Sequence, residues 1–139
     1  MKPSLVYPAK VLLAWGEAIS GNVQLREWLM TNQYSELGIF VFALHNKDSA
    51  RKWLLDNGFP HLMAMINGAE GVESALEWLD KNGYKIMEKI ARGADNDNEA
   101  IEWLIKNNHR ELSLISLKMR TVKNQIEREN NDIHKISGE

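Results

Sequence analysis

Residues 50–58 read Ala-Arg-Lys-Trp-Leu-Leu-Asp-Asn-Gly, and residues 75–83, 25 positions later, read Ala-Leu-Glu-Trp-Leu-Asp-Lys-Asn-Gly. A small residue, a tryptophan, a leucine and an Asn-Gly pair return in the same order at the same spacing. Extending the register outward places Trp28 and Trp103 in line with Trp53 and Trp78, followed by Leu29, Leu54, Leu79 and Leu104, and then by Asn32, Asn57, Asn82 and Asn107. Leu25, Ala50, Ala75 and Ala100 stand three residues before each tryptophan. A fixed period of this kind is the signature of stacked supersecondary units. The register predicts that Trp53 and Trp78 are core residues.

Each unit reads as two short helices. The first carries the small residue one turn before the tryptophan on the same face, and Asn22, Asp48 and Asp97 supply capping-type side chains ahead of it. The third unit opens at Gly71-Val72-Glu73-Ser74 without such a cap. Gly58 and Gly83 close the helix in the left-handed conformation, with Gln33 and Asn108 in the same place in the outer units. The second helix begins about two residues later, with Pro60 at a first position that tolerates a missing N–H. Its apolar positions are Leu37, Leu62, Met87 and Leu112, then Phe40, Met65, Ile90 and Ile115. Leu12 and Trp15 fall in the same two slots, so a half unit over 8–20 precedes the first full one.

Helices of this length are marginal alone, since nucleation is costly and about 12–15 residues are needed in water. They must stack. The expected fold is therefore all-α: a right-handed-type α-solenoid forming a single domain over 1–139, with repeats at 22–46, 47–71, 72–96 and 97–119 and a long C-terminal helix over 110–136. In shape this resembles ankyrin, HEAT and tetratricopeptide arrays, and the Trp-Leu-x-x-Asn-Gly string looks like the helix and turn of divergent ankyrin-type repeats. The resemblance covers residues 22–119 and is architectural: the unit is shorter than the ~33-residue ankyrin period, and the Thr-Pro-Leu-His string is absent. It implies no functional residue.

A net charge of −2 favours neither nucleic acid nor an anionic membrane. With no cysteine, disulfides, thiolate metal sites and cysteine nucleophiles are excluded, which fits a reducing compartment. The longest apolar stretch, Leu37–Leu44, falls far short of the ~20 residues that span a bilayer, and Glu17 interrupts the amino-terminal apolar run before it reaches secretory length. A cytoplasmic protein without membrane contact is expected. Asp95-Asn96-Asp97-Asn98-Glu99 resembles part of a calcium loop but has Ala100 and Lys106 where the glycine and terminal glutamate belong. His45, His61, His109 and His134 occupy unlike slots and show no zinc-ligand spacing. No nucleophile elbow or phosphate-binding glycine loop is present. The reading is accordingly no enzyme, no cofactor and no metal.

Function then rests on surfaces. Two slots on the second helix, eleven and fourteen residues after each tryptophan, hold Ile39 and Phe42, Ala64 and Asn67, Lys89 and Arg92, then Leu114 and Leu117. The stripe is apolar in the first and last units and polar in the third, so both ends are expected to cover something, whether the chain's own termini or a partner. Between Glu70 and Glu102, nine acidic and four basic residues give −5, a balance that suits a solvated face or a basic partner. Beyond Leu112 the apolar residues Ile115, Met119, Val122, Ile126, Ile133 and Ile136 alternate at spacings of three and four around a polar Glu129. That seam can cap the stack, pair with a second copy as a homodimer, or fray beyond Arg128. The candidate partner or self-association surface is therefore Ile39, Phe42, Leu114, Leu117, Met119, Val122 and Ile126. The expected function is a protein–protein interaction module or scaffold in a larger bacterial-style regulatory assembly. The alternative is a helical-repeat protein that binds or processes a small molecule or nucleic acid.

Overall fold

The computed structural model describes the backbone from Leu5 to Ser137 and side-chain surroundings as far as Asn131. Ile133 and Ile136 of the expected seam, and the domain's residues 1–4 and 138–139, lie outside those described surroundings. The described residues form nine α-helices and no strand: α1 Ala9–Ile19, α2 Val23–Thr31, α3 Ser35–Leu44, α4 Asp48–Asp56, α5 Pro60–Ala69, α6 Glu73–Lys81, α7 Lys85–Ala94, α8 Asn98–Lys106 and α9 Arg110–Ser137.

Both kinds of turn between these helices recur at 25-residue intervals. After the tryptophan helices, Gln33, Gly58, Gly83 and Asn108 have φ of 73°, 85°, 84° and 66°, and after the others Gly21, Asn46, Gly71 and Asn96 have 111°, 67°, 91° and 72°. A left-handed residue lets the next N–H reach back five residues and satisfy a helix-end carbonyl. Tyr34, Phe59, Tyr84 and His109 donate in this way to Leu29, Leu54, Leu79 and Leu104, at 3.0, 2.8, 2.8 and 2.8 Å. Asn22, Lys47, Val72 and Asp97 do the same to Glu17, Phe42, Asn67 and Arg92. The repeated asparagines complete the first kind of turn. Nδ2 of Asn32, Asn57, Asn82 and Asn107 donates to the carbonyl of the tryptophan four residues back at 2.8, 2.9, 2.8 and 2.8 Å, a bond worth about 1 kcal/mol each time. Asn22 and Asp97 cap α2 and α8 as expected. Asp48 does not cap: Lys47 holds the cap position and Asp48 lies in the first turn of α4, where its charge suits the helix dipole.

The core is carried by α1, α3, α5, α7 and the first part of α9, the inner helices, whereas α2, α4, α6 and α8 bury only one to three residues each and lie outside them. Leu29, Leu54, Leu79 and Leu104 are the outer helices' fully buried anchors. The tryptophans beside them are not. One residue further round the helix, Trp28, Trp53 and Trp103 are half-buried at the edge of the core, and Trp78 is 38% exposed. The expectation of core tryptophans thus fails at Trp78 and holds in part at Trp53, which is half-buried and packs against the core. Each indole instead stacks on the aromatic ring six residues later: Trp28 on Tyr34, Trp53 on Phe59, Trp78 on Tyr84 and Trp103 on His109, with centroids 5.8–6.2 Å apart. These pairs clasp the turn from outside. The buried tryptophan is Trp15, edge-on to Phe40 at 5.0 Å in the core.

Successive inner helices approach closely at small residues. A β-carbon at Gly68 of α5 would stand 3.1 Å from Cβ of Ala91 on α7, and one at Gly93 of α7 would run into Ser116 of α9. The series then closes on itself. Gly16 of α1 lies against Lys118 and Ile115 of α9, with 3.1 Å from its would-be β-carbon to Lys118 Cδ, so α1 and α9 pack side by side. In the 25-residue register Gly16 corresponds to Ala91 and Ser116, and Lys118 to Gly68 and Gly93. The closing contact is the same contact with large and small exchanged.

The buried Trp15 and the half-exposed Trp78 carry different loads. Trp15→Ala is expected to cost about 3–5 kcal/mol and Trp78→Ala clearly less, to be read from urea midpoints. His61 links two units, stacked on Tyr84 at 5.2 Å and beside Phe59 at 6.0 Å. Burial holds its pKa below the ordinary 6.5, so the fold favours neutral imidazole. That contribution is whole above pH 6.5 and is lost as the pH falls through the lower folded value. A melting-temperature series from pH 7 downward should therefore fall more steeply for the parent than for His61→Phe.

Candidate interaction surface

The stripe from Ile39 to Leu117 falls into separate places, the first two of them grooves bounded by an inner helix and the outer helix after it. Between α3 and α4, Ile39 and Phe42 face Ala50 and Trp53, with Lys47 and Ser49 at the rim, around about 380 Å3. Phe42 is covered on its other side by Arg26, whose guanidinium lies 4.3 Å above the ring. One repeat later Ala64 and Asn67 replace Ile39 and Phe42, opening about 410 Å3 between α5 and α6 over Ala75 and Trp78. Leu55, Pro60, Met63 and Val72 extend this groove.

In the third unit the slots are filled rather than open. Lys89 Nζ sits 5.6 Å from the Trp103 ring centroid, a cation–π contact. Arg92 is tied to Glu88 at 3.0 Å and to Glu73 at 3.5 Å. The polarity seen in the sequence therefore serves internal contacts, with the buried Glu88 carboxylate held by its neighbour's guanidinium.

The tail residues separate in the same way. Met119 is fully buried in the core, where a partner cannot reach it. Val122 and Ile126 are half-buried, and Leu114 is 42% exposed. Leu114, Leu117 and Val122 share a groove of about 340 Å3 with Ser20 at the end of α1. Beyond Met119, α9 leans on the α7–α8 turn: Arg120 donates to the Gly93 carbonyl at 2.9 Å, Lys123 pairs with Asp95 at 3.0 Å, and Asn124 and Asn96 exchange amide hydrogen bonds. Of the seven candidate residues the structure thus brings Ile39 and Phe42 together, joins Leu114, Leu117 and Val122, sends Met119 inward and leaves Ile126 half-buried further along α9.

The surface residues missed from the sequence are Leu55, Val72 and Trp78, exposed to 55%, 43% and 38% and gathered in one groove. Their signal was the pair of small residues, Ala64 and Asn67, at slots that are large elsewhere. Before α1, Tyr7 donates to Glu36 at 2.8 Å and meets Tyr34 edge-on, so the segment from Leu5 crosses the start of α3. Burial and the adjacent Glu36 carboxylate raise the Tyr7 phenol well above its usual pKa. Burial, helped by Arg26 and Lys47, lowers His45. Among the described residues no cluster of histidine, aspartate and glutamate has the arrangement of a metal site, and no helix is long and apolar enough to cross a membrane. Compared with protein-family models, with characterised proteins and with solved structures, the chain matches none.

Proposed function

We propose that the protein is a non-catalytic protein-interaction module: a cytoplasmic α-solenoid of 25-residue repeats, bent until its first inner helix meets its last. The supporting observation is the groove between α5 and α6. Leu55, Val72 and Trp78 remain 55%, 43% and 38% exposed although burying the rest of each would be worth on the order of 1 kcal/mol, and neighbouring exposed apolar side chains of that kind suit a binding surface. Glu73, Glu77 and Asp80 lie on the helix that carries Trp78, within the stretch of charge −5. Lys85 and Arg92 offset part of that charge. The partner that fits is a protein segment with apolar anchors flanked by basic residues.

Tagged protein used as bait in an extract of the source organism tests this. The parent is expected to retain a discrete partner, less of it at raised salt because exposed charges are screened. The Leu55→Glu, Val72→Glu double variant is expected to lose that partner while melting within a few degrees of the parent. Equal recovery on both baits rules out the groove as the binding surface.

A further inference from the structure

Four outer helices are seated on the series of inner ones, and each seat has two walls. The first wall is the inner helix before it, through the slots of Ile39 and Phe42. Ile39 and Trp53 line one groove, Ala64 and Trp78 the next, and Lys89 lies over Trp103. The second wall is the inner helix after it. Gly38 leaves no room for a side chain beneath Met30 of α2, Met63 of α5 shares a groove with Leu55 of α4, Arg26 of α2 covers Phe42 of α3, and Glu73 of α6 pairs with Arg92 of α7.

Because α1 packs on α9 through the same inner contact, a fifth pair of walls exists between them. Its first wall is Leu114 and Leu117 of α9. Its second wall is Leu13 and Glu17 of α1, which stand in the slots of Gly38 and Phe42. Among the described residues no helix fills this place, and the exposures register it: Gly38, Met63, Glu88 and Ser113 are buried, whereas Leu13, in the same slot, is 55% exposed. The extension of α9 leans the other way, toward Asp95 and Asn96, and leaves the seat open.

We propose that this fifth seat binds an amphipathic helix of a partner protein built like the chain's own outer helices. A small residue and, one turn later, an aromatic followed by leucine would enter the groove, the aromatic against Leu114 as Trp53 lies beside Ile39. A basic residue two positions before the aromatic, where Arg26 faces Phe42, would meet Glu17. The Glu17 carboxylate is 57% exposed, and among the described residues its one ion-pair partner is the Lys118 ammonium at 4.0 Å. The occupant continues an interface already present four times over in the fold. The seat shares no residue with the Trp78 groove, so it stands or falls independently of the function proposed above.

The probe is a helix-stapled synthetic peptide carrying the α4 sequence Asp48–Asp56, whose Arg51 and Trp53 occupy the required positions, titrated into the isotope-labelled full chain. Amide shifts are expected at Leu13, Glu17, Leu114 and Leu117. Affinity is expected to drop about tenfold in Leu13→Asp or Leu114→Asp, each at an exposed site that leaves the fold intact by thermal melting. Glu17→Arg should weaken the peptide, and a peptide with Arg51→Glu should recover most of the loss against that variant. No saturable shifts at millimolar peptide, shifts confined to the Trp53 and Trp78 grooves, or a charge exchange without recovery overturn the proposal. Shifts in α1 and α9 that follow protein concentration without peptide also overturn it, since the occupant is then a second copy of the chain.

Discussion

Everything in this molecule depends on the close approach of each inner helix to the next. Helices of nine to eleven residues have almost no stability in isolation, so the energy must come from apolar faces pressed together. At three of these contacts, pressing them that near requires a missing side chain on one side. Gly68 against Ala91, Gly93 against Ser116 and Gly16 against Lys118 are three uses of one solution. In the last, the long side chain belongs to the helix that closes the series. Its aliphatic stem covers Gly16 and its ammonium reaches Ser20 Oγ at 3.2 Å, so the charge stays at the surface while the stem packs.

The turns make the second requirement. A stack tolerates little variation in helix length or exit angle, and two left-handed residues per unit set both. Glycine takes that conformation at little cost, whereas Gln33 pays on the order of 1 kcal/mol for it. The cost is carried by the bonds that the turn makes: the back-reaching N–H, the asparagine amide on the tryptophan carbonyl and the stacked aromatic pair outside. The tryptophans therefore hold the outer corners of the fold, where an indole can pack on one face and remain wet on the other.

This placement of large aromatics at corners is what leaves grooves at the surface. Grooves between inner and outer helices have a tryptophan as one wall, and their openness is set by two side chains on the inner helix. Ile39 and Phe42 narrow the groove, Ala64 and Asn67 widen it, and Lys89 with Arg92 closes it through a cation–π contact and ion pairs. The surface thus varies from unit to unit while the turns between the helices stay alike.

The sequence by itself determined the helices and their turns, because each rests on interactions within about six residues: the asparagine four after the tryptophan, the glycine after that, Pro60 at a helix start. It also determined which inner-helix faces are apolar. It did not decide where the tryptophans point, since Trp53 and Leu54 are both apolar neighbours on a helix and only packing against the inner layer selects the leucine for burial. Nor could it decide the fate of α9, whose Met119, Val122 and Ile126 form an even stripe in sequence but meet different surroundings. The meeting of α1 with α9 joins residues about a hundred positions apart. No local signal encodes that meeting; the tertiary structure alone brings Gly16 to Lys118 and leaves Leu13 more than half exposed.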